Sequence, residues 1–206
     1  MSYDLEKKTF VVGLTGGIGA GKSSITEYLI EQGIPVFDCD DYVKQLYQDI
    51  NFVDILQERY GDLGPDPKSS MAKKVIEKPE ILEELAPIFD TYLSAAIRSF
   101  CQRNVWDMKA PFVVLDAPVL FEHGLQDRCN VVVTVSAPEV VRRTRTMDRP
   151  GMTRAKFDLI ISKQWTDAQR EMNSQFVIHN TGTKEQARDS MAKILEAIQG
   201  TIDVTV

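Results

Sequence analysis

The sequence predicts an α/β fold in which a five-stranded parallel sheet is flanked by helices and interrupted by a helical insert. Three observations carry that prediction. Short apolar, β-prone runs recur at 10–14, 34–37, 112–115, 130–135 and 176–178, and the stretches between them are long enough for crossover helices. A glycine-rich turn, Gly16-Gly-Ile-Gly-Ala-Gly-Lys-Ser23, joins the first run to a helical pattern. The connection from the second run to the third is unusually long and reads as helix.

Phe10 to Leu14 is apolar and β-prone, as a central parallel strand should be. Gly16 to Ser23 then fits G-x-x-x-x-G-K-[ST], the phosphate-binding P-loop. Glycines let the backbone turn tightly and approach an anion with no Cβ in the way. Successive N–H groups form a nest for phosphate oxygens, and the following helix adds its positive end. The expected nucleotide-binding residues are Gly16, Gly17, Ile18, Gly19, Ala20, Gly21, Lys22, Ser23 and Ser24. Lys22 reaches the β- and γ-phosphates, and the Ser23 hydroxyl ligates Mg²⁺. The motif in this strand–helix setting predicts a P-loop NTPase fold that binds ATP or a similar triphosphate.

The helix after the loop covers about 23–32, with Gly33 as its stop. The second strand ends in Asp38-Cys-Asp40-Asp41, at the sheet edge where ligands gather. Asp40 or Asp41 is expected to cap the next helix, leaving Asp38 for chemistry. Residues 41–109 read as a helical lobe: amphipathic patterns begin at Tyr42 and Val53, a glycine–proline loop covers 61–67, and a short basic helix covers 68–78. Pro79 opens a long helix in which Pro87 marks a kink or break. The third strand ends at Asp116, and an apolar strand ending in Asp beside a P-loop points to a second Mg²⁺ contact. Ala137-Pro-Glu139 starts a helix carrying Arg142, Arg143, Arg145 and Arg149, stopped by Pro150-Gly151. For Arg142 and Arg143 a solvated basic face is as good a reading as a functional one. Arg145 and Arg149, four apart, are expected to share a helix face and form a cationic lid over 145–156. A helix from Thr153 runs through Gln164 and Trp165. Asn180-Thr-Gly182 follows the fifth strand, placed so that a purine sits against its backbone amides. The last helix covers about 184–198, and the tail 200–206 carries no readable signal.

Composition narrows the function classes. Hydrophobic residues make up 43% of the 206, enough for one sizeable core with a small inserted lobe. A net charge of −6 argues against general nucleic-acid binding. The three cysteines and two histidines have no metal-ligand spacing, and the thiols suit a reducing cytosol. The first eight residues are too polar for a signal peptide, and no run is long enough to span a membrane. The expectation is a cytoplasmic protein with no membrane or nucleic-acid partner; the oligomeric state stays open, a monomer being the simplest case.

The order of these words resembles the nucleoside monophosphate kinase branch of P-loop proteins, and more narrowly the dephospho-CoA kinase family. The resemblance rests on Leu14–Ser23, Val36-Phe-Asp-Cys-Asp40, Asp116-Ala-Pro-Val-Leu-Phe-Glu122, Arg145-Thr-Met-Asp-Arg149, Met152-Thr-Arg154, Gln164 and Val177-Ile-His-Asn-Thr-Gly182. It spans nearly the whole chain. It implies transfer of the ATP γ-phosphoryl group to the ribose 3′-hydroxyl of dephospho-CoA. It implies Asp38 as catalytic base, Lys22, Arg145 and Arg149 as phosphate-neutralising groups, and Ser23 and Asp116 at the metal. It divides the chain into a core (1–40 and 110–206) and an acceptor-binding insert (41–109). Acceptor contacts are then expected from Asp40, Lys44, Lys68, Leu120, Phe121 and Glu122, with Asn180 at the nucleotide. The chain departs from the family pattern at Lys44 and Lys68, where the family has Arg, and at Ala86-Pro87, where it has His-Pro. The alternatives are a P-loop kinase of another nucleoside or nucleotide, or a slow nucleotide-hydrolysing switch; Asp38 and the insert favour a kinase.

Overall fold

The structure, a computed structural model, describes residues 9–205, with side chains as far as Ile202. The polar N-terminal stretch lies outside the described residues. The order of elements is β1 (Phe10–Thr15), α1 (Lys22–Glu31), β2 (Val36–Asp38), α2 (Cys39–Leu46), α3 (Ile50–Tyr60), α4 (Pro67–Glu77), α5 (Ile81–Cys101), β3 (Phe112–Asp116), β4 (Val131–Ser136), α6 (Glu139–Met147), α7 (Arg154–Lys163), α8 (Asp167–Met172), β5 (Phe176–His179) and α9 (Lys184–Thr205). The sheet is parallel, in the order β2-β3-β1-β4-β5. β1 is therefore central, and the chain leaves it toward one side for β2 and returns across it for β4. That reversal opens the crevice at the carboxyl end of β1 where open α/β sheets bind ligands.

The core forms because β1, β3 and β4 are apolar on both faces, as a covered parallel sheet requires. Val12, Leu14, Val114, Val133 and Val135 pack with Ile25 and Leu29 of α1 and with Met191 and Ile198 of α9. α9 continues well past the expected stop at 198 because its apolar stripe continues. Ile194, Ile198 and Ile202 recur every four residues and all lie against this core. Gly200 meets nothing within 4 Å, so its cost is the backbone entropy of a helical glycine, about 1 kcal/mol.

The chain divides into two compact units, Met1–Phe37 with Cys101–Val206, and Asp38–Phe100. The second unit has a core of its own, built by Leu46, Phe52, Leu56, Leu63, Met71, Ile81 and Leu85. Phe52 is its centre, with Tyr92 at 5.1 Å and Phe89 at 5.2 Å between ring centroids. α5 starts at Ile81 rather than Pro79 and runs unbroken through Pro87, where a break or kink was expected. Pro87 removes the N–H that would reach the Glu83 carbonyl. Both residues are exposed, so water can satisfy that carbonyl and the helix survives. A π-turn at Gln102–Asp107 then leads back to β3, and the Asn104 carbonyl accepts from Ala110 N–H at 2.9 Å. Among the described residues, no helix is long and apolar enough to cross a membrane.

Candidate nucleotide site

The glycine loop joins β1 to α1 at the crevice. Gly21 caps α1 in the left-handed region, φ 96°, and no side chain caps the helix. A side-chain residue is strained at that angle, which fixes glycine here. Within the loop, Ala20 N–H donates to the Gly17 carbonyl and Ser24 N–H to the Gly21 carbonyl. Ile18 N–H donates to Gln164 Oε1 at 3.0 Å. Among the described residues, the N–H groups of Gly19, Gly21, Lys22 and Ser23 make none of these loop contacts, and α1 begins without a side-chain cap.

Lys22 is ion-paired with Asp116 at the end of β3. Asp116 is 2% exposed and also accepts from the Thr26 hydroxyl at 2.6 Å. The P-loop lysine and the strand-end aspartate predicted from sequence thus share one pocket, each holding the other's charge. Ser23 is exposed in the first turn of α1; Ser24 is buried, and its hydroxyl has no hydrogen-bond partner among the described residues. One hydroxyl and one carboxylate are hard oxygen donors, too few for an all-protein cage, and no group of three or more ligating side chains exists among the described residues. That donor set suits Mg²⁺, which keeps several waters and takes its remaining oxygens from substrate phosphates.

The carbonyl side of the loop is pinned by the protein. Asn180, 7% exposed, donates from Nδ2 to the Ala20 carbonyl at 2.8 Å, and its own N–H donates to Ser136 O at 2.7 Å. Arg145 Nη1 donates to Asn180 O at 3.1 Å and lies 3.5 Å from Ala20 O. Asn180 and Arg145 therefore both reach the carbonyl side of the loop. Arg149 does not share the helix face of Arg145. α6 ends at Met147 with Asp148 as C-cap, and Arg149 sits in the turn before Pro150, exposed. The Pro-Gly breaker acts one turn earlier than the spacing suggested.

Arg142 corrects the surface reading: it is 7% exposed and ion-paired with Asp167 at 3.0 Å, whereas Arg143 does lie outside, between Glu139 and Asp158. α7 stops at Lys163 instead of running through Trp165, and a capping box of Thr166 with Gln169 opens α8. Glu122 Oε1 accepts from Trp165 N–H at 2.6 Å and from Arg170 Nη2 at 2.9 Å, so at least that oxygen is committed to the fold. Leu120 is 0% and Phe121 5% exposed, the latter stacked on Trp165 at 4.9 Å. Neither presents the surface an acceptor needs; both are core residues, a correction to their expected role. Burial pushes the Asp167 carboxyl up and the Arg170 guanidinium down from their ordinary values.

In the second unit, Asp38 is the helix cap: its Oδ1 accepts from Asp41 N–H at 2.9 Å. The expectation that Asp40 or Asp41 caps is overturned; both lie in the first turn of α2, favourable there for its dipole. The cap uses one carboxylate oxygen of an exposed side chain. Lys44 is exposed, 3.8 Å from Asp41, and Lys68 is exposed in the first turn of α4 after the Asp66 cap. Asp40 is exposed as well.

The sequence profile of the dephospho-CoA kinase family matches residues 10–186, which takes in the loop, the whole unit Asp38–Phe100 and the Asn180 turn. The chain belongs to the dephospho-CoA kinase family. Relatives named dephospho-CoA kinase agree with it along their length. The Agrobacterium fabrum protein is 32% identical, covering 91% of this chain and 97% of its own. That of Bradyrhizobium diazoefficiens is 34% identical, covering 91% and 95%. The crystal structure of TT1252 from Thermus thermophilus superposes with a TM-score of 0.82 at 26% identity, covering 92% of this chain and 97% of that one. A dephospho-CoA kinase from Campylobacter jejuni shares the fold, with a TM-score of 0.66 at 18% identity and coverage of 93% and 98%.

Proposed function

We propose that this protein transfers the γ-phosphoryl group of ATP to the 3′-hydroxyl of the dephospho-CoA ribose, releasing CoA and ADP. The observation that carries the reading is the family match across residues 10–186, supported by a P-loop whose Lys22 is ion-paired with the strand-end Asp116. Phosphoryl transfer asks for positioning and charge neutralisation more than covalent work. The N–H groups of Gly19, Gly21, Lys22 and Ser23 hold the β- and γ-phosphates. Lys22 exchanges its Asp116 partner for phosphate oxygen as nucleotide enters, and Arg145 and Arg149 offset charge on the transferred group. Ser23 and Asp116 would hold Mg²⁺, which would supply positive charge to offset that of the phosphates. Asp38 accepts the proton of the attacking hydroxyl through the oxygen that the cap does not use, while the O–P bond to the acceptor forms and the β–γ bridge breaks. The unit Asp38–Phe100, with Asp40, Lys44 and Lys68 exposed on it, is assigned to the acceptor. For the whole chain, a net charge of −6 and three cysteines without metal-ligand spacing support a cytoplasmic protein that does not bind nucleic acid.

The test is ADP release coupled to an absorbance readout, with dephospho-CoA, AMP, uridine and deoxyadenosine as acceptors. Dephospho-CoA is expected to raise the rate far above the acceptor-free background, and the others only weakly. Preference for AMP or a nucleoside would move the protein to another kinase activity. An unchanged slow rate with every acceptor would favour a nucleotide switch.

A further inference from the structure

Four alternating charges run in a chain from the loop after β3 to the phosphate-binding loop. Glu122 Oε1 accepts from Arg170 Nη2 at 2.9 Å; Arg170 Nη1 lies 3.5 Å from Asp167 Oδ1; Asp167 Oδ2 lies 3.0 Å from Arg142 Nε; and Arg142 Nη1 donates to the Ile18 carbonyl at 3.4 Å. The side chains of Arg170 and Arg142 are 1% and 8% exposed. Withdrawing such charges from water is costly, and apolar side chains of similar volume would often serve stability as well or better. A structural role alone therefore explains the chain poorly, and what it touches becomes the better guide.

It touches Ile18 of the P-loop, whose two flanking peptide groups are both held. Arg142 holds the Ile18 carbonyl while Gln164 Oε1 holds the Ile18 N–H at 3.0 Å. Gly17, one residue earlier, lies flat against the pair: a Cβ there would come within 2.8 Å of Arg142 Nη1 and 3.2 Å of Asp167 Oδ1. Gln164 sits in the link between α7 and α8, and the same charges tie that link down. Trp165 N–H donates to Glu122 at 2.6 Å, and Trp165 O accepts from Arg170 Nη1 at 2.5 Å. Fixing a loop in its bound shape before the ligand arrives raises affinity by removing an ordering cost.

We propose that Arg142 and Asp167, braced by Arg170 and Glu122, are positioning residues that, with Gln164, lock the two peptide groups flanking Ile18. The Ile18 N–H then does not serve the phosphates, and nucleotide affinity is set through the held loop. The inference rests on the proposed nucleotide binding. The test measures equilibrium binding of Mg·ATP by calorimetry, steady-state KM and kcat, and the melting temperature. It compares wild type with Arg142→Gln/Asp167→Asn, which removes one positive and one negative charge together. The expected result is a Kd for ATP raised about tenfold or more, the usual effect of losing a charge-assisted hydrogen bond, with an unchanged KM for the acceptor and a melting temperature near wild type. Gln164→Ala leaves the charges intact and is expected to weaken ATP severalfold; it is the second probe if the double variant does not fold. Wild-type ATP affinity in Gln164→Ala, or in a folded double variant, overturns the proposal. Failure of the wild-type protein itself to bind Mg·ATP would instead overturn the nucleotide reading beneath it.

Discussion

Asn180→Ala isolates a single hydrogen bond behind the P-loop. The Asn180 backbone N–H keeps its bond to Ser136 O, so the substitution removes only the amide that donates to Ala20 O at 2.8 Å. Ala20 is 0% exposed, so water cannot replace the lost donor, and Arg145 Nη1 stands off at 3.5 Å. Leaving a buried carbonyl short of its donor costs about 1–3 kcal/mol. If that cost falls on the loop's binding-competent shape, ATP affinity drops by about five- to hundredfold, at 1.4 kcal/mol per factor of ten. Asn180→Asp is expected to do worse, because it turns a second acceptor on Ala20 O and adds negative charge beside the triphosphate. Calorimetric titration with Mg·ATP, paired with thermal melts of both variants, reads the effect. An Asn180→Ala variant that binds ATP within twofold of wild type and melts at the same temperature would refute the reasoning.

The two arginines proposed to offset charge on the transferred group are expected to separate. Arg145→Ala weakens ATP binding as well as kcat, because Arg145 grips Asn180 O, whereas Arg149→Ala lowers kcat with little change in Kd; identical kinetic profiles would contradict the difference in their placement. Asp38→Asn keeps a cap acceptor but removes basicity, so kcat should fall about a hundredfold or more at unchanged melting temperature; full turnover with Asn at 38 would leave Asp38 a cap alone. Burial pushes the Cys129 thiol up to about 12, so native protein at pH 8 should alkylate slowly at this position by peptide mass mapping, and rapid stoichiometric labelling would refute it. The folded state keeps this proton while an unfolded thiol loses it near 9.0, so Cys129 stabilises the fold below that pH and the contribution is lost as pH rises toward 12.

The parts legible in the sequence were those encoded locally. Gly16 to Ser23 fixed the loop, apolar runs fixed β1 and β3 to β5, and Asp116 stood at a strand end. Other features depended on partners distant in sequence. For Arg142 a solvated face was as good a reading as a functional one because Asp167, which draws it inward, lies 25 residues later with no motif between them. Glu122 and Arg170, 48 apart, were equally silent as a pair. The cap at Asp38 was misassigned because four neighbouring residues offer three aspartates, and only the backbone angle of φ −85°, ψ 107° selects the first. Leu120 and Phe121 were expected at the acceptor, yet the turn after β3 folds them back into the core, a placement set by partners distant in sequence. α8 was hidden by length: six residues carry too little periodicity, although Thr166 and Gln169 spelled its start.

The decisive measurement is the structure of the reaction product. Purified protein, Mg·ATP and dephospho-CoA are incubated to completion, and the acceptor is recovered for mass spectrometry and phosphorus NMR. The expected product is dephospho-CoA plus one phosphoryl group, carrying a new monoester resonance coupled to the ribose H3′, with ADP in equal amount. Phosphate at any other position, or ADP with free phosphate and unmodified dephospho-CoA, would contradict the assignment.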